Sequence, residues 1–414
     1  MGPIDIAVAG CGPAGLATAL LLHRDGHRVT LFERFDAPKP IGSGLMIQPT
    51  GMSVLAKLGL SERLSGQGAR IDRLVGRTAN GRSVLDVHYR SLGQPGRFGI
   101  GVHRAALFAI LFDEIAAAGI AIETGRTICG SERTADGCRK LLFERGPPSA
   151  PFDLIVDTLG TQTPLAPPTG RQLSYGALWA SLDWPEDPRF DPTALEQRYR
   201  AASKMAGVMP IGMRPGSATP QAAFFWSLRV DQFERWKAEG LTAWKQEVLA
   251  LWPMLAPLLD QIDSPDRLTF ARYAHRTLAK PADAALIHLG DAWHSASPQL
   301  GQGANMAMLD AYALALALRH SDDLDTAIGT AVALRKCHVH LYQALTAILT
   351  PVYQSDGRFI PWLRDWLVGP LSRIPPIPRI QALLVSGLVG GPLRKLTRYE
   401  DGFSRSVPAA KAIA

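Results

Sequence analysis

The stretch Leu289–Leu318, LGDAWHSASPQLGQGANMAMLDAYALALAL, decides how this chain is read. It runs from the end of an apolar strand through a polar loop carrying Gly290-Asp291. A Gly-rich turn, Gly301-Gln302-Gly303, then opens a long apolar helix. Such a loop sets a carboxylate, followed by a row of free backbone N–H groups, beside whatever lies at the helix N-terminus. The carboxylate suits a ribose or ribityl hydroxyl. The N–H groups and the helix dipole suit a pyrophosphate or an electron-rich ring oxygen. Alone, the stretch is equally an ordinary strand–loop–helix connection.

A second signature at the N-terminus raises it. Ile4–Ala9 (IDIAVA) has strand composition and leads directly into Gly10-Cys11-Gly12-Pro13-Ala14-Gly15. Leu16–His23 reads as a helix, and His27–Glu33 as a second strand ending in an acid. This is GxGxxG in its strand–turn–helix setting. Gly10 allows the tight turn, Gly12 lets a pyrophosphate approach the backbone, and Gly15 lets the helix pack on the strand. Glu33 accepts from the ribose of an adenosine.

The rest of the chain bounds this reading. Its 414 residues suffice for two domains, or for one domain with a large insertion, and 47% hydrophobic with 20% charged residues describes a globular protein. Cys11, Cys129, Cys138 and Cys337 lack CxxC spacing, which suggests a reducing compartment and no structural metal. Cys337 and its neighbours His338 and His340 do not share one helix face well, so no metal site is expected there. No cleaved signal or membrane span is apparent, and a cytoplasmic location is expected. The net charge of +7 suits an anionic substrate, an anionic membrane surface or the phosphates of a cofactor. No basic run interleaved with aromatics points to nucleic acid.

Between the two signatures the pattern alternates and then turns β-rich. Ile41–Thr50 reads as extended, Gly51–Leu58 and Arg104–Ala118 as helices, and Asp72–Arg77 with Ser83–Tyr89 as a hairpin. Ala121–Thr127, Leu141–Glu144 and Asp153–Val156 read as further strands. Leu173–Trp184, Gly207–Met213 and Ala222–Val230 suggest an antiparallel sheet, with a helix at Leu241–Leu251. Leu268–His275 and Ala285–Leu289 lead back to the opening stretch. The expected organisation is α/β. A discontinuous Rossmann-like nucleotide domain (residues 1–72, 97–165 and 276–345) carries an inserted antiparallel substrate domain (residues 73–96 and 166–275), and helices follow over residues 346–414.

Three segments together, GCGPAG with Glu33-Arg34, the helix opening at His103-Arg104, and GDAWHSASPQLGQGANMAMLDA, resemble the class A flavoprotein monooxygenases. This is the para-hydroxybenzoate-hydroxylase-like family, which includes ubiquinone-pathway hydroxylases. The likeness runs over roughly residues 3–345. It implies FAD, in a fold of the type called GR2. Gly10, Gly12, Ala14 and Gly15 would then lie at the pyrophosphate and Glu33 at the adenosine ribose. Arg34 would lie over adenine or diphosphate, and Arg104 would reach the diphosphate or ribityl chain. Asp291 would hold the ribityl chain, while the turn Gly301–Gly303 and Ala304-Asn305 would present N–H groups to the flavin ring. The implied reaction takes one oxygen atom from O₂, through a C4a-hydroperoxyflavin, to an electron-rich aromatic or lipophilic substrate, with NAD(P)H as reductant.

One segment departs from the family pattern. Where the family has Gly-Ala-Asp-Gly and a later Ser, this chain reads Asp157-Thr158-Leu159-Gly160-Thr161-Gln162-Thr163. Leu159 accepts no hydrogen bond, and Asp157 is the nearest substitute. Two alternatives therefore stay open: a tailoring oxidoreductase not reduced directly by NAD(P)H, and a flavin-binding reductase. Trp179, Pro210–Met213 and Phe224–Trp226 are candidate pocket residues. Trp179, Met213, Phe225 and, from the cofactor loop, Pro298 are the chosen ones. Arg214, Tyr273 and His275 are secondary candidates for a substrate anion. His294 is expected only to hold its own backbone. Residues 346–414 read as a helical cap or, with Trp362, Trp366, Arg373, Arg379, Arg394 and Lys395, as a basic amphipathic surface for peripheral membrane contact.

Overall fold

A computed structural model describes residues 1–39, 42–93, 96–372 and 374–401. Arg373 and residues 402–414 of the expected C-terminal surface lie outside the described residues, as does residue 41 of the expected extended run. The first βαβ unit forms where the glycine signature places it. The strand Asp5–Ala9 is followed by the helix Pro13–Arg24 and the strand Arg28–Phe32. Ile6, Ala7, Val8 and Ala9 are all buried, as expected of a parallel strand covered on both faces.

Six strands make the first sheet, in the order Ala282–Asp283, Leu286–His288, Leu154–Asp157, Asp5–Ala9, Arg28–Phe32, Ala121–Glu123. Every neighbouring pair is parallel except the first. Ile6 lies between Leu154 and Val29, which sets the register. Three adjacent parallel strands thus deliver the Gly10 turn, the Asp157–Thr163 stretch and the Gly290-Asp291 loop to one sheet edge. In open parallel sheets, ligands bind outside the carboxyl ends of the strands.

The helix Gly303–His320 packs against Pro13–Arg24 and is buried continuously from Asn305 to Leu318. A helix apolar on every face is stable only inside a core. The second sheet has seven strands, in the order Thr269–His275, Arg171–Asp183, Pro220–Arg229, Lys204–Met213, Ala194–Arg200, Arg73–Thr78, Ser83–His88. It is antiparallel apart from one pair, Ala194–Arg200 with Arg73–Thr78, which the long intervening chain permits. The strand Ala194–Arg200 (ALEQRYR) is absent from the sequence expectation, because its charged residues hide the alternation.

Period-2 alternation assigns the aromatics of this sheet to opposite faces. Phe224 and Trp226 pack under helices carrying Trp236, Trp244 and Leu251. Phe225 and Trp179 point the other way, toward Met46, Met209 and Ile211. Phe224 and Trp226 are therefore core residues and not pocket lining.

A third, three-stranded sheet joins the two larger ones: Gly44–Ile47, Gly99–His103 and Ala69–Ile71, with Gly99–His103 in the middle. It packs on the Lys204–Met213 strand so closely that a Cβ on Gly101 would overlap the Pro210 carbonyl oxygen. At the C-terminus, helices span Leu324–Tyr353, Phe359–Leu371, Ile377–Val385 and Pro392–Glu400. Cys337 is exposed and His338 buried, and no metal-holding cluster occurs among the described residues. The Gly101→Val variant is expected to lose about 1–3 kcal/mol or more, the usual cost of overpacking. A lower urea midpoint checks this, and an unchanged one would contradict the close sheet contact.

Candidate active site

The Gly10 turn is fixed by local sterics. Gly10 has φ +104°, and Gly15 sits so close to it that a Cβ on Gly15 would overlap the Gly10 carbonyl oxygen. Thr158 holds the turn from the neighbouring strand, its hydroxyl donating to the Ala9 carbonyl at 2.7 Å and to that of Gly10 at 3.1 Å. Glu33 accepts from the Cys11 and Phe35 amides, each at 3.1 Å, which fixes the carboxylate at the strand end. A carboxylate has about four acceptor positions, so capacity for ribose hydroxyls remains. Arg34 is exposed, and its guanidinium lies 4.7 Å from the centre of the Phe35 ring.

Two helix starts converge on this edge. The amides of Gly12, Ala14 and Gly15, and those of Gly303, Ala304 and Asn305, have no hydrogen-bond acceptor among the described residues. Such orphan donors are intrinsic to a helix N-terminus. A Cβ on Gly12 would meet nothing within 4 Å, so this backbone is open to approach. Gly290, at φ +58°, knits the two starts together: a Cβ there would stand 2.9 Å from the Ala307 Cβ and 3.6 Å from that of Ala14.

Asp291 opens the short helix Asp291–His294, and its carboxylate lies about 3.9 Å from where a Gly303 Cβ would sit. It reaches solvent, yet surrounding protein raises its pKa by desolvation, against the pull of His294 and Arg104. Arg104 is placed by the start of its helix, Arg104–Ala117, where His103 accepts the Ala105 amide at 3.1 Å. Desolvation lowers the Arg104 pKa, while Asp291 and Tyr273 act to raise it. Asp291, Arg104 and Tyr273 therefore share one electrostatic environment. Tyr273 in turn accepts a hydrogen bond from the Trp179 indole at 2.9 Å, and Trp179 stacks on Phe225 at 4.6 Å. The structure thus links Arg104 and Asp291 to Trp179 and Phe225 through Tyr273. Met213 is half-buried at the end of its strand, and Pro298 is exposed on the loop.

The expectation for Asn305 concerns its backbone amide, and the side chain is engaged within the protein. Its side chain accepts the Gln48 amide at 2.8 Å and donates to the carbonyls of Met46 (3.1 Å) and Gly301 (3.0 Å). It clamps the Gly44–Ile47 strand to the helix start, leaving only its backbone amide for a ligand. Gly301, at φ +60°, ends the turn Pro298–Leu300.

Two sequence expectations are corrected. His294 does not hold its own backbone: its Nε2–H donates to Asp310 at 2.6 Å. Asp157 does not replace the missing acid at Leu159. Its buried carboxylate accepts from Thr163 and His288, both at 2.6 Å, and from the Leu159 amide at 3.0 Å. Leu159 itself packs against an apolar cluster that includes Phe32 and Ile155.

Sequence reading missed Asp310, the buried acid that receives the Gly290 amide at 3.0 Å, His294 at 2.6 Å and Arg335 at 2.7 Å. Its signal was an acid in a helix otherwise apolar on all faces, since a buried charge requires partners. Arg335 continues to His338 at 3.1 Å, whose Nε2–H donates to the Gly387 carbonyl at 3.1 Å. Both ring nitrogens are thereby committed in the neutral form. Burial first, and then Arg335, push the His338 pKa down to about 3.

These charges have measurable consequences. A desolvated acid whose native pKa is raised weakens the fold above that pKa and ceases to do so below it. Asp291→Asn should thus make flavin-free protein more resistant to urea at neutral pH. It should also weaken FAD binding by roughly 10–100-fold, the value of a charge-assisted hydrogen bond. Titration of flavin-free protein with FAD checks the second effect, and unchanged affinity would contradict it. His338 has the opposite linkage. Its native pKa is depressed, so protonation favours the unfolded chain as pH falls from about 6.5 toward 3. Between pH 7 and 5 the protein should lose roughly 1–2 kcal/mol that His338→Gln does not lose. Parallel urea titrations at the two pH values test this.

These donors, the open Gly12 backbone and the carboxylates of Glu33 and Asp291 fit FAD, and comparison with known proteins agrees. The model of the family described as "FAD binding domain" matches residues 3–147 and 169–321. The 3-amino-4-hydroxybenzoate 2-monooxygenase of Streptomyces cremeus is 30% identical over 335 residues, which span 74% of this chain and 76% of that protein. Among solved structures, Klebsiella pneumoniae HpxO complexed with FAD and uric acid superposes with a TM-score of 0.76 at 20% identity, covering 94% of this chain and 98% of that one. PqsL of P. aeruginosa in complex with 2-aminobenzoylacetate gives a TM-score of 0.75 at 20% identity, covering 87% and 99%. At such identity the structural likeness is one of fold. The family model and the 30% relative carry the assignment: the chain belongs to the FAD-binding-domain family and is a class A, aromatic-hydroxylase-type FAD-dependent monooxygenase.

Proposed function

We propose that this enzyme hydroxylates an electron-rich aromatic substrate carrying an acidic group, with O₂ as oxygen source and NAD(P)H as reductant. In this reading, residues 1–72, 97–165 and 276–345 hold the cofactor, and residues 73–96 and 166–275 form the substrate side. Asp291, Glu33 and the two sets of orphan amides would hold FAD. When bound and reduced, FAD activates O₂ and supplies one oxygen atom to the substrate.

The observation that carries the proposal is the Arg104–Tyr273–Trp179–Phe225 series. The stacked Trp179–Phe225 pair offers an aromatic wall. Tyr273 keeps its proton at neutral pH, because burial pushes its pKa up to about 12 against the pull of Trp179 and Arg104. Its oxygen already accepts the Trp179 N–H, so its own O–H is left to donate. A neutral donor beside an arginine favours a substrate anion, which raises the electron density of the ring to be attacked. Packing by Met46, Met209 and Ile211 behind this wall restricts water. The S. cremeus relative, by its name, acts on an aminohydroxybenzoate, a compound with these features.

A second reading draws on Leu159. With Leu159 in apolar packing and Asp157 consumed by Thr163 and His288, the central loop offers no free carboxylate. An enzyme supplied with flavin reduced elsewhere, doing epoxidation, N-hydroxylation or another oxidation, would tolerate that loss. Stopped-flow mixing of the flavin-loaded protein with NADH or NADPH, with and without hydroxybenzoates, separates the readings. Bleaching of the flavin that accelerates with substrate is expected. Oxygen transfer only with flavin reduced beforehand would favour the second reading, and failure to bind FAD in either redox state would overturn both. Tyr273→Phe should raise KM for a phenolic acid roughly tenfold, the loss of about one hydrogen bond, at unchanged flavin content.

A further inference from the structure

The helix Phe359–Leu371 is oriented against the usual rule for a globular surface. Its inner face buries Arg364, which donates to the carbonyls of Val352 (2.9 Å) and Ala201 (2.8 Å) and to Asp365 at 2.6 Å. The same guanidinium lies 4.9 Å from the Tyr199 ring and 5.4 Å from the Tyr353 ring. The inner face meets the Ser83–His88 strand, with Gly369 against the Ser83 carbonyl. The outer face carries Phe359, Trp362, Leu363, Trp366, Leu367 and Leu371, recurring at helical spacing. Phe359 is 70% exposed, Trp362 56% and Trp366 52%.

This exposure is confined to one region. All ten large hydrophobic side chains exposed among the described residues fall between Ile348 and Ile380. A globular surface normally scatters such residues singly, and a contiguous patch marks an interaction site. The buried arginine pins the helix with its apolar face outward, so the exposure is built in and not a product of fraying.

Charge identifies the occupant. The outer face of this helix bears no charge, since its charged residues, Arg364 and Asp365, pair with each other. Around it lie exposed Arg358 and Arg379, exposed Arg90 on the turn that packs against Ile377–Val385, and Arg82, whose guanidinium lies 3.9 Å from the centre of the Trp366 ring. The nearby acid Asp356 is engaged by Arg229 and Tyr175. An uncharged aromatic centre ringed by arginines, on a chain of net charge +7, is complementary to an anionic lipid surface. Two copies of the same face would instead bring like charges together. No helix among the described residues is long and apolar enough to cross a membrane, so the contact is peripheral.

We propose that the Phe359–Ile380 face docks on an anionic phospholipid bilayer, with Trp362 and Trp366 at the headgroup level. Such docking is independent of the substrate and of the route of flavin reduction. The full chain should co-sediment with phosphatidylglycerol-containing vesicles and bind phosphatidylcholine vesicles at least about tenfold more weakly. Its tryptophan fluorescence should be quenched by brominated lipid in the anionic vesicles. Trp362→Gln with Trp366→Gln should weaken vesicle binding about tenfold or more, with unchanged flavin content and urea midpoint. Arg358→Glu with Arg379→Glu should abolish the preference for anionic lipid. Failure of the unmodified chain to bind anionic vesicles overturns the proposal. So does a dimer in sedimentation equilibrium that the tryptophan substitutions dissociate, because a second copy would then cover the face.

Discussion

The buried carboxylate of Asp310 is the constraint on which the site depends. It lies inside a helix with no polar neighbour in sequence, and it receives the Gly290 amide, His294 and Arg335. Burial alone would raise its pKa, but His294 and Arg335 outweigh that and hold it down to about 2. An ion removed from water to this degree is tolerable only when fully partnered. Losing one partner typically costs about 3–5 kcal/mol, because the remaining charge is left buried. The loop that presents Asp291, the helix that presents its N-terminal amides and the long C-terminal helix Leu324–Tyr353 are therefore held as one unit. Arg335 and His338 carry the connection on to Gly387, so the C-terminal segment is part of the support for the cofactor loop.

Around that unit, close backbone approaches locate the other parts. Gly15 lets the first helix touch the Gly10 turn, and Gly101 lets the small sheet touch the substrate sheet. Asn305 ties the Gly44–Ile47 strand to the helix start through two hydrogen bonds, and a third holds the Gly301 turn. The three sheets thus meet across backbone contacts, which flex less than surface side chains. Such rigidity suits a reaction in which the protein's task is to place a ring carbon and exclude water.

Much of this is legible in the sequence, because the signals are local. The Gly10–Gly15 turn, Glu33 and the Gly290-Asp291 loop each sit within one short motif whose geometry follows from residue type. Alternation places the strand carrying Phe225, but it cannot say which of Phe224, Phe225 and Trp226 packs under the helices and which faces away. That depends on which face the Leu241–Leu251 helix covers. The strand Ala194–Arg200 escapes notice because its charged residues hide the alternation. The role of His294 is hidden because its partner Asp310 sits on a different element. The periodicity of Phe359–Leu371 indicates a helix, but it carries no sign that Arg364 turns inward and the tryptophans outward.

Asp291 and Asp310 show how one set of neighbours can assign different work to two acids of the same type. Both lie near His294, and both experience desolvation. Asp310 has hydrogen bonds from two cationic-type side chains and a backbone amide, so its ionised form is stabilised and its role is structural. Asp291 feels His294 and Arg104 only through space, and desolvation prevails. Its charge is thus a cost that the protein alone does not offset. A carboxylate kept at such a cost, beside orphan amides and an open glycine backbone, is explained by a ligand that donates hydrogen bonds to it. The ribityl chain of the proposed FAD would do so. The neighbouring structural acid makes this arrangement possible, since it fixes the loop without drawing on the residue that must remain free to bind.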